Sequence, residues 1–161
     1  MNSARISRIE LFAFDAKPSF TKKPLQSGCL YLVLRLSCGE QISYGECLVP
    51  KKDNGMDLIK WGAFLRCIHF STPEEGFMAV RFHEREWTTS QLELLQSALS
   101  GLQQPWSHRF KIAVGSAGQE YEVTSSIPRM AWTSYLLNRR AGDLSLSRLI
   151  EESVSYFSIL S

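Results

Sequence analysis

Leucine recurs at every second position as Leu30, Leu32, Leu34 and Leu36 within the run Cys29-Leu-Tyr-Leu-Val-Leu-Arg-Leu-Ser37. Successive strand side chains point to opposite faces, so this spacing predicts a strand over 29–37 with all four leucines on one side. A polar break at Cys38-Gly39 follows. Gln41 to Val49 then returns as a second strand, carries Tyr44-Gly45-Glu46-Cys47 and stops at Pro50. Upstream, Arg5 to Asp15 sets Ile9, Leu11 and Ala13 on one side and Phe12 and Phe14 on the other. That pattern suits a strand with apolar contact on both faces. The three segments predict an antiparallel meander over 5–49, which needs cover on its leucine face because three bare strands are marginal alone. Between the first two strands, Ala16 to Gly28 contains Pro18, Pro24 and Gly28 and reads as a loop.

The cover is expected from the helical segments downstream of Pro50. Leu58, Trp61, Leu65 and Ile68 are spaced for a helix behind Asp57, a side chain suited to capping, which predicts a helix over 57–68. Ser71-Thr-Pro-Glu-Glu combines a cap hydroxyl, a first-turn proline and acids near the positive end of the helix dipole. The second helix therefore starts there and runs through Phe77 and Val80 toward Arg85. Thr88-Thr-Ser-Gln begins a third, with the stripe Leu92, Leu95, Leu99 and Leu102, ended by Gly101 and Pro105. Residues 106–126 form an irregular insert. Phe110-Lys-Ile-Ala-Val and Tyr121-Glu-Val fit either a small hairpin or an open loop there. Pro128 starts a fourth helix that ends near Gly142, Leu144 to Glu152 is a short helix, and Val154 to Leu160 has the makings of a final strand. The expected class is α+β, a three-stranded antiparallel β-meander followed by a helical bundle over 57–142. One domain spans 1–143, with 144–161 as a short helix and the start of a strand.

Composition narrows the function classes. A 161-residue chain with 44% hydrophobic and 21% charged residues has the makings of one globular core. Eighteen Lys and Arg against 16 Asp and Glu leave +2, too balanced to point to nucleic acid or to an anionic membrane. The start Met-Asn-Ser-Ala-Arg-Ile-Ser-Arg has no apolar signal core, so a soluble cytoplasmic protein is expected. Cys29, Cys38, Cys47 and Cys67 lack Cys-x-x-Cys spacing, which argues for reduced thiols rather than a zinc or redox motif. Glu74-Glu75 and Glu151-Glu152 are neighbours whose side chains diverge on a helix, so neither pair makes a metal site. His69, His83 and His108 have no ligand partner at the right spacing. Cys47 lies beside Glu46 with no histidine nearby in sequence, the setting of a buried structural thiol rather than a nucleophile. No catalytic residue and no metal ligand is assigned.

Four motifs, taken in order, carry a resemblance. They are Arg5-Ile6-x-x-Ile9-Glu10-Leu11, Pro18-x-Phe20, Gly39-x-x-x-x-Tyr44-Gly45-Glu46-Cys47, and Arg129-Met-Ala-x-x-x-x-Leu136-Leu137-x-Arg139-x-Ala141-Gly142. Together they resemble the N-terminal capping domain of the enolase superfamily, in the mandelate racemase and muconate-lactonising enzyme branch with its dipeptide epimerases and o-succinylbenzoate synthases. Asn138 departs from the pattern, standing near a usual aspartate. The resemblance implies a cap over a magnesium-dependent barrel that abstracts a proton α to a carboxylate, with metal ligands and bases in the barrel. The chain stops at Ser161, about where the first barrel strand would begin. It is therefore expected to be inactive alone and to need no cofactor itself, magnesium belonging with the barrel. By resemblance, the loops Lys17–Gly28 and Val49–Met56 meet the substrate. Phe20 serves there as an apolar wall, Lys22 or Lys23 as a carboxylate partner, and Pro50 and Lys51 as the second loop's contribution. The implied partners are a separate barrel chain or a second copy through exposed sheet and helix surface, with no nucleic acid and no membrane. Two other readings stay open: a stand-alone α+β binding or scaffold protein, and a small-ligand module with a pocket at the Phe20 and Pro50 loops.

Overall fold

The alternating leucines lie where their spacing puts them. In the computed structural model, which describes residues 4–15, 28–51, 55–103 and 146–160, β1 (Ile6–Asp15), β2 (Cys29–Cys38) and β3 (Gln41–Pro50) form an antiparallel meander. Cys38 pairs with Gln41, which leaves Gly39 and Glu40 as a two-residue turn. Gly39 has φ +60°, and only its first central position takes a positive value, the arrangement of a type II′ hairpin turn.

The sheet has four strands rather than the three expected of the meander. The segment β4 (Ser155–Leu160) pairs antiparallel with β1, giving the order β3-β2-β1-β4. Six residues at the far end of the chain carry little periodicity of their own. Their partner is more than a hundred residues away in sequence, so pairing could not be read locally. The α+β class stands, with a four-stranded antiparallel sheet.

Leu30, Leu32, Leu34 and Leu36 are all buried on one face, with Ile9, Leu11 and Ala13 beside them. Over them lie α1 (Leu58–Trp61), a 3₁₀ helix (Gly62–Ile68), α2 (Pro73–Phe82) and α3 (Thr89–Gln103). The single helix expected over 57–68 is thus replaced by two short pieces. Asp57 does cap α1, accepting the Lys60 N–H at 3.1 Å. At Gly62, however, a Cβ would lie only 3.1 Å from Leu11 Cδ2 and 3.3 Å from the Phe157 ring, so the backbone runs close against the sheet. The tighter three-residue period beyond it brings Leu65 and Ile68 to the same side, and both are fully buried.

Caps fix the next two helices. Thr72 and Glu75 form a reciprocal capping box with Pro73 in the first turn, and α2 ends at Phe82, short of Arg85. Thr88 and Gln91 repeat that box for α3 through bonds of 3.0 and 3.3 Å. The buried face of α3 is wider than its leucine stripe and includes Leu94, Ser97, Ala98 and Gly101. It seats on β3 because Ser43, Gly45 and Cys47, at period two, present small side chains toward it. The Ser43 hydroxyl donates to Ala98 O at 2.6 Å. A Cβ on Gly45 would stand 2.1 Å from Leu94 O.

The opposite face of the sheet is buried too. Phe12, Phe14, Tyr31 and Val33 cluster there with Leu149 from α4 (Leu146–Glu152). Exposed apolar side chains include Met78 and Phe82 on α2 and Ile59 on α1. The expected insert 106–126 and the fourth helix 128–142 lie outside the described residues. Among those residues, no helix is long and apolar enough to cross a membrane.

Candidate functional site

The ends of the strands decide where chemistry can gather. β1 ends at Asp15, β2 begins at Cys29 and β3 ends at Pro50, all at one edge of the meander, so both loops singled out from the sequence spring from that edge. A backbone bond from Lys51 N–H to Gly28 O, 2.5 Å long, ties their roots together, and Gly28 adopts φ +109°, a conformation open to glycine. Across the edge, Lys51 Nζ lies 3.0 Å from Asp15 Oδ1, and both side chains are about half exposed. That ion pair spans from β3 to β1 over the start of β2. Beside it opens a cleft of about 220 Å³, lined by Ala13, Asp15, Leu30, Lys51, Met56, Leu58, Val154 and Ser155.

Of the expected substrate-contacting residues, Lys51 lines this cleft and Pro50 precedes it directly. Phe20, Lys22 and Lys23 lie outside the described residues. The sequence reading missed Asp15 and Val154, while Met56 closes the second expected loop. Asp15 had a signal, being a charge at the end of an apolar strand, but nothing local linked it to Lys51.

A second polar group occupies the middle of the opposite sheet face. Glu10 is fully buried; its carboxylate takes Arg8 Nη2 at 2.9 Å, Arg35 Nη1 and the Tyr156 hydroxyl at 3.3 Å. Arg35 stands directly across from Glu10 on β1 and from Tyr44 on β3. Burial pulls the Arg35 guanidinium down, but its hydrogen bonds to Glu10 and Tyr44 outweigh that and raise its pKa above the usual arginine value. Farther along the same face, the Tyr31 hydroxyl donates to Glu46. Glu10 and Arg35 were each visible as a charge inside an apolar strand, which signals a paired buried ion. Here the pairing stitches three strands together and leaves the Glu10 carboxylate occupied on both oxygens.

The motif Tyr44-Gly45-Glu46-Cys47 is thereby accounted for by packing. Tyr44 bonds Arg35, Gly45 admits α3, Glu46 accepts from Tyr31, and Cys47 fills the helix-covered core. Burial, with Glu93 and Glu46 nearby, pushes the Cys47 thiol up to about 12, the opposite of what a nucleophile needs. Burial also raises Cys38. His83 Nδ1 is 2.7 Å from Glu86 and its ring stacks on Trp87 at 4.7 Å, while His69 Nε2 is 3.3 Å from Ser7 O. Among the described residues no three histidine, cysteine, aspartate or glutamate side chains come together.

No protein-family model matches the chain, and no curated protein and no solved structure matches it significantly.

Proposed function

We propose that this chain is a capping domain that shapes substrate specificity over a magnesium-dependent barrel acting by proton abstraction next to a carboxylate, and that it carries no catalysis itself. One observation supports the reading beyond the resemblance in sequence. Both loops expected to meet substrate leave the same end of the sheet, tied at their roots beside a small cleft. In such an assembly the metal, held by the barrel, stabilises charge developing on the substrate carboxylate. The cap closes over the mouth, excludes water and touches the distal part of the substrate. Lys51 and Pro50, at the end of β3, form the described part of that lid, with Phe20, Lys22 and Lys23 in its other loop. The partner is a barrel, on a separate chain or a continuation of this one.

Proton exchange tests it. The purified chain with magnesium in deuterium oxide should leave the α-protons of amino-acid and hydroxy-acid carboxylates unexchanged. Joined to an enolase-superfamily barrel stripped of its own cap, it should restore exchange and change which substrates are favoured. Exchange by the chain alone overturns the proposal, as does a joined barrel that stays inert.

A second reading is favoured by β4, which completes the same sheet against β1 instead of leading away from it. In that reading the chain is a stand-alone α+β binding or scaffold protein. Truncation before Ser155 separates the two. A stand-alone fold should lose cooperative unfolding, whereas a cap whose last strand belongs to a barrel should keep it.

A further inference from the structure

We infer that the cleft at the loop-root end of the sheet takes a small zwitterion with an apolar side chain, the chemistry of a free aliphatic α-amino acid. The inference rests on the reading of that end as ligand-facing, and it requires no barrel.

The lining is mixed, with Ser155 beside an apolar and a charged part. Ala13, Leu30, Met56, Leu58 and Val154 are apolar, while Asp15 and Lys51 are its two charged members. Val154 remains 58% exposed, so a ligand seated against it would remove apolar surface from water. The cleft has a volume of about 220 Å³. That is below the range of about 300–1,000 Å³ typical for drug-sized ligands and suits a single small side chain.

The rim chooses the head group. Lys51 Nζ and Asp15 Oδ1 are 3.0 Å apart and about half exposed, so each keeps bonding directions open to a ligand. A lone carboxylate drawn to Lys51 also meets the like charge of Asp15 beyond it. A lone ammonium drawn to Asp15 meets Lys51. In both cases repulsion from the second charge offsets part of the attraction. A head group bearing both charges gains on both sides and forms two charge-assisted hydrogen bonds. The rim is also held in place, because Lys51 N–H is bonded to Gly28 O and Val154 N–H to Ala13 O at 2.8 Å.

Titration of the full chain with leucine, followed by backbone amide chemical shifts, tests this. Saturable shifts are expected at Ala13, Leu30, Leu58 and Ser155. Isocaproate, which lacks the ammonium, and isoamylamine, which lacks the carboxylate, should each bind at least about tenfold more weakly. Serine, without the apolar body, should not saturate. Lys51→Met and Asp15→Asn should each weaken leucine about tenfold with an unchanged unfolding midpoint. The ligand series on the native chain stands even if a variant folds poorly. The inference is overturned if leucine gives no saturable shift, if either single-charge analogue binds as tightly, or if both well-folded variants bind leucine as the native chain does. Each of those results leaves the proton-exchange test free to succeed, so the two failures are distinguishable.

Discussion

Replacing Gly45 by alanine should be the most damaging single-methyl change in the described structure. The added Cβ would lie 2.1 Å from the carbonyl oxygen of Leu94, 2.9 Å from Ala98 N and 3.0 Å from Ala98 Cβ. Two of these atoms are helix backbone, so no rotamer change relieves the clash, and α3 must retreat by roughly an ångström. A gap of 0.5–1 Å forfeits about a quarter to a half of each dispersion contact it opens. Leu94, Leu95, Ala98 and Leu99, all fully buried, share that loss. The cost is therefore expected at the top of the overpacking range, about 3 kcal/mol or more, against a total stability of about 5–15 kcal/mol. In urea, with a slope of about 2 kcal/mol/M, the midpoint should fall by about 1.5 M or cooperative unfolding should vanish. Gly62→Ala is the comparison, since the three atoms nearest its Cβ are side-chain atoms of Leu11 and Phe157, at 3.1 Å and beyond, rather than backbone. It should shift the midpoint by less than about 0.5 M. A Gly45→Ala midpoint as little changed as that of Gly62→Ala would refute the close seating of α3 on β3.

Buried polar groups give three further expected outcomes. Among the described residues the Ser97 hydroxyl is buried without a hydrogen-bond partner, so Ser97→Ala should raise stability by about 1 kcal/mol in the same urea assay. Glu10→Met should cost about 3 kcal/mol by stranding Arg35. The pair Glu10→Met with Arg35→Met should recover most of that loss, a coupling that a double-mutant cycle reads directly. The Cys47 thiol, raised to about 12 in the fold, ionises in the unfolded chain near its ordinary value of 9.0. The native state thus holds the extra proton between those values. This contribution is whole below pH 9 and is lost as pH climbs toward 12, by up to about 4 kcal/mol. Urea midpoints of Cys47→Ala should accordingly fall less steeply above pH 9 than those of the native chain, and a thiol reagent at pH 8 should reach Cys47 only on unfolding.

Much of the fold could be read from local chemistry. The alternating leucines, Gly39 and the two threonine-capped helix starts each arise from one residue pattern acting over a few positions. The break at Gly62 was not legible, because it arises from the approach of Leu11 and Phe157, two residues distant in sequence. The fourth strand was missed as a member of the sheet for the same reason: its pairing with β1 is a long-range fact. At the candidate site, Lys51 and Pro50 came from a motif match, and the sequence could not show that Asp15 completes the rim. Gly45 and Glu46 drew attention as a motif, and their roles proved to be helix seating and a tyrosine bond. Residues whose value lies in a contact across the sheet look, in one dimension, like residues that carry chemistry.

The claim that the loop-root end of the sheet faces a catalytic barrel is tested most directly by mapping where such a barrel touches. Amide shifts of the labelled chain, recorded while a magnesium-loaded enolase-superfamily barrel without its cap is added, should concentrate at Asp15, Gly28, Lys51 and Val154. Shifts confined to Met78 and Phe82 on α2, or none at any concentration, would contradict it.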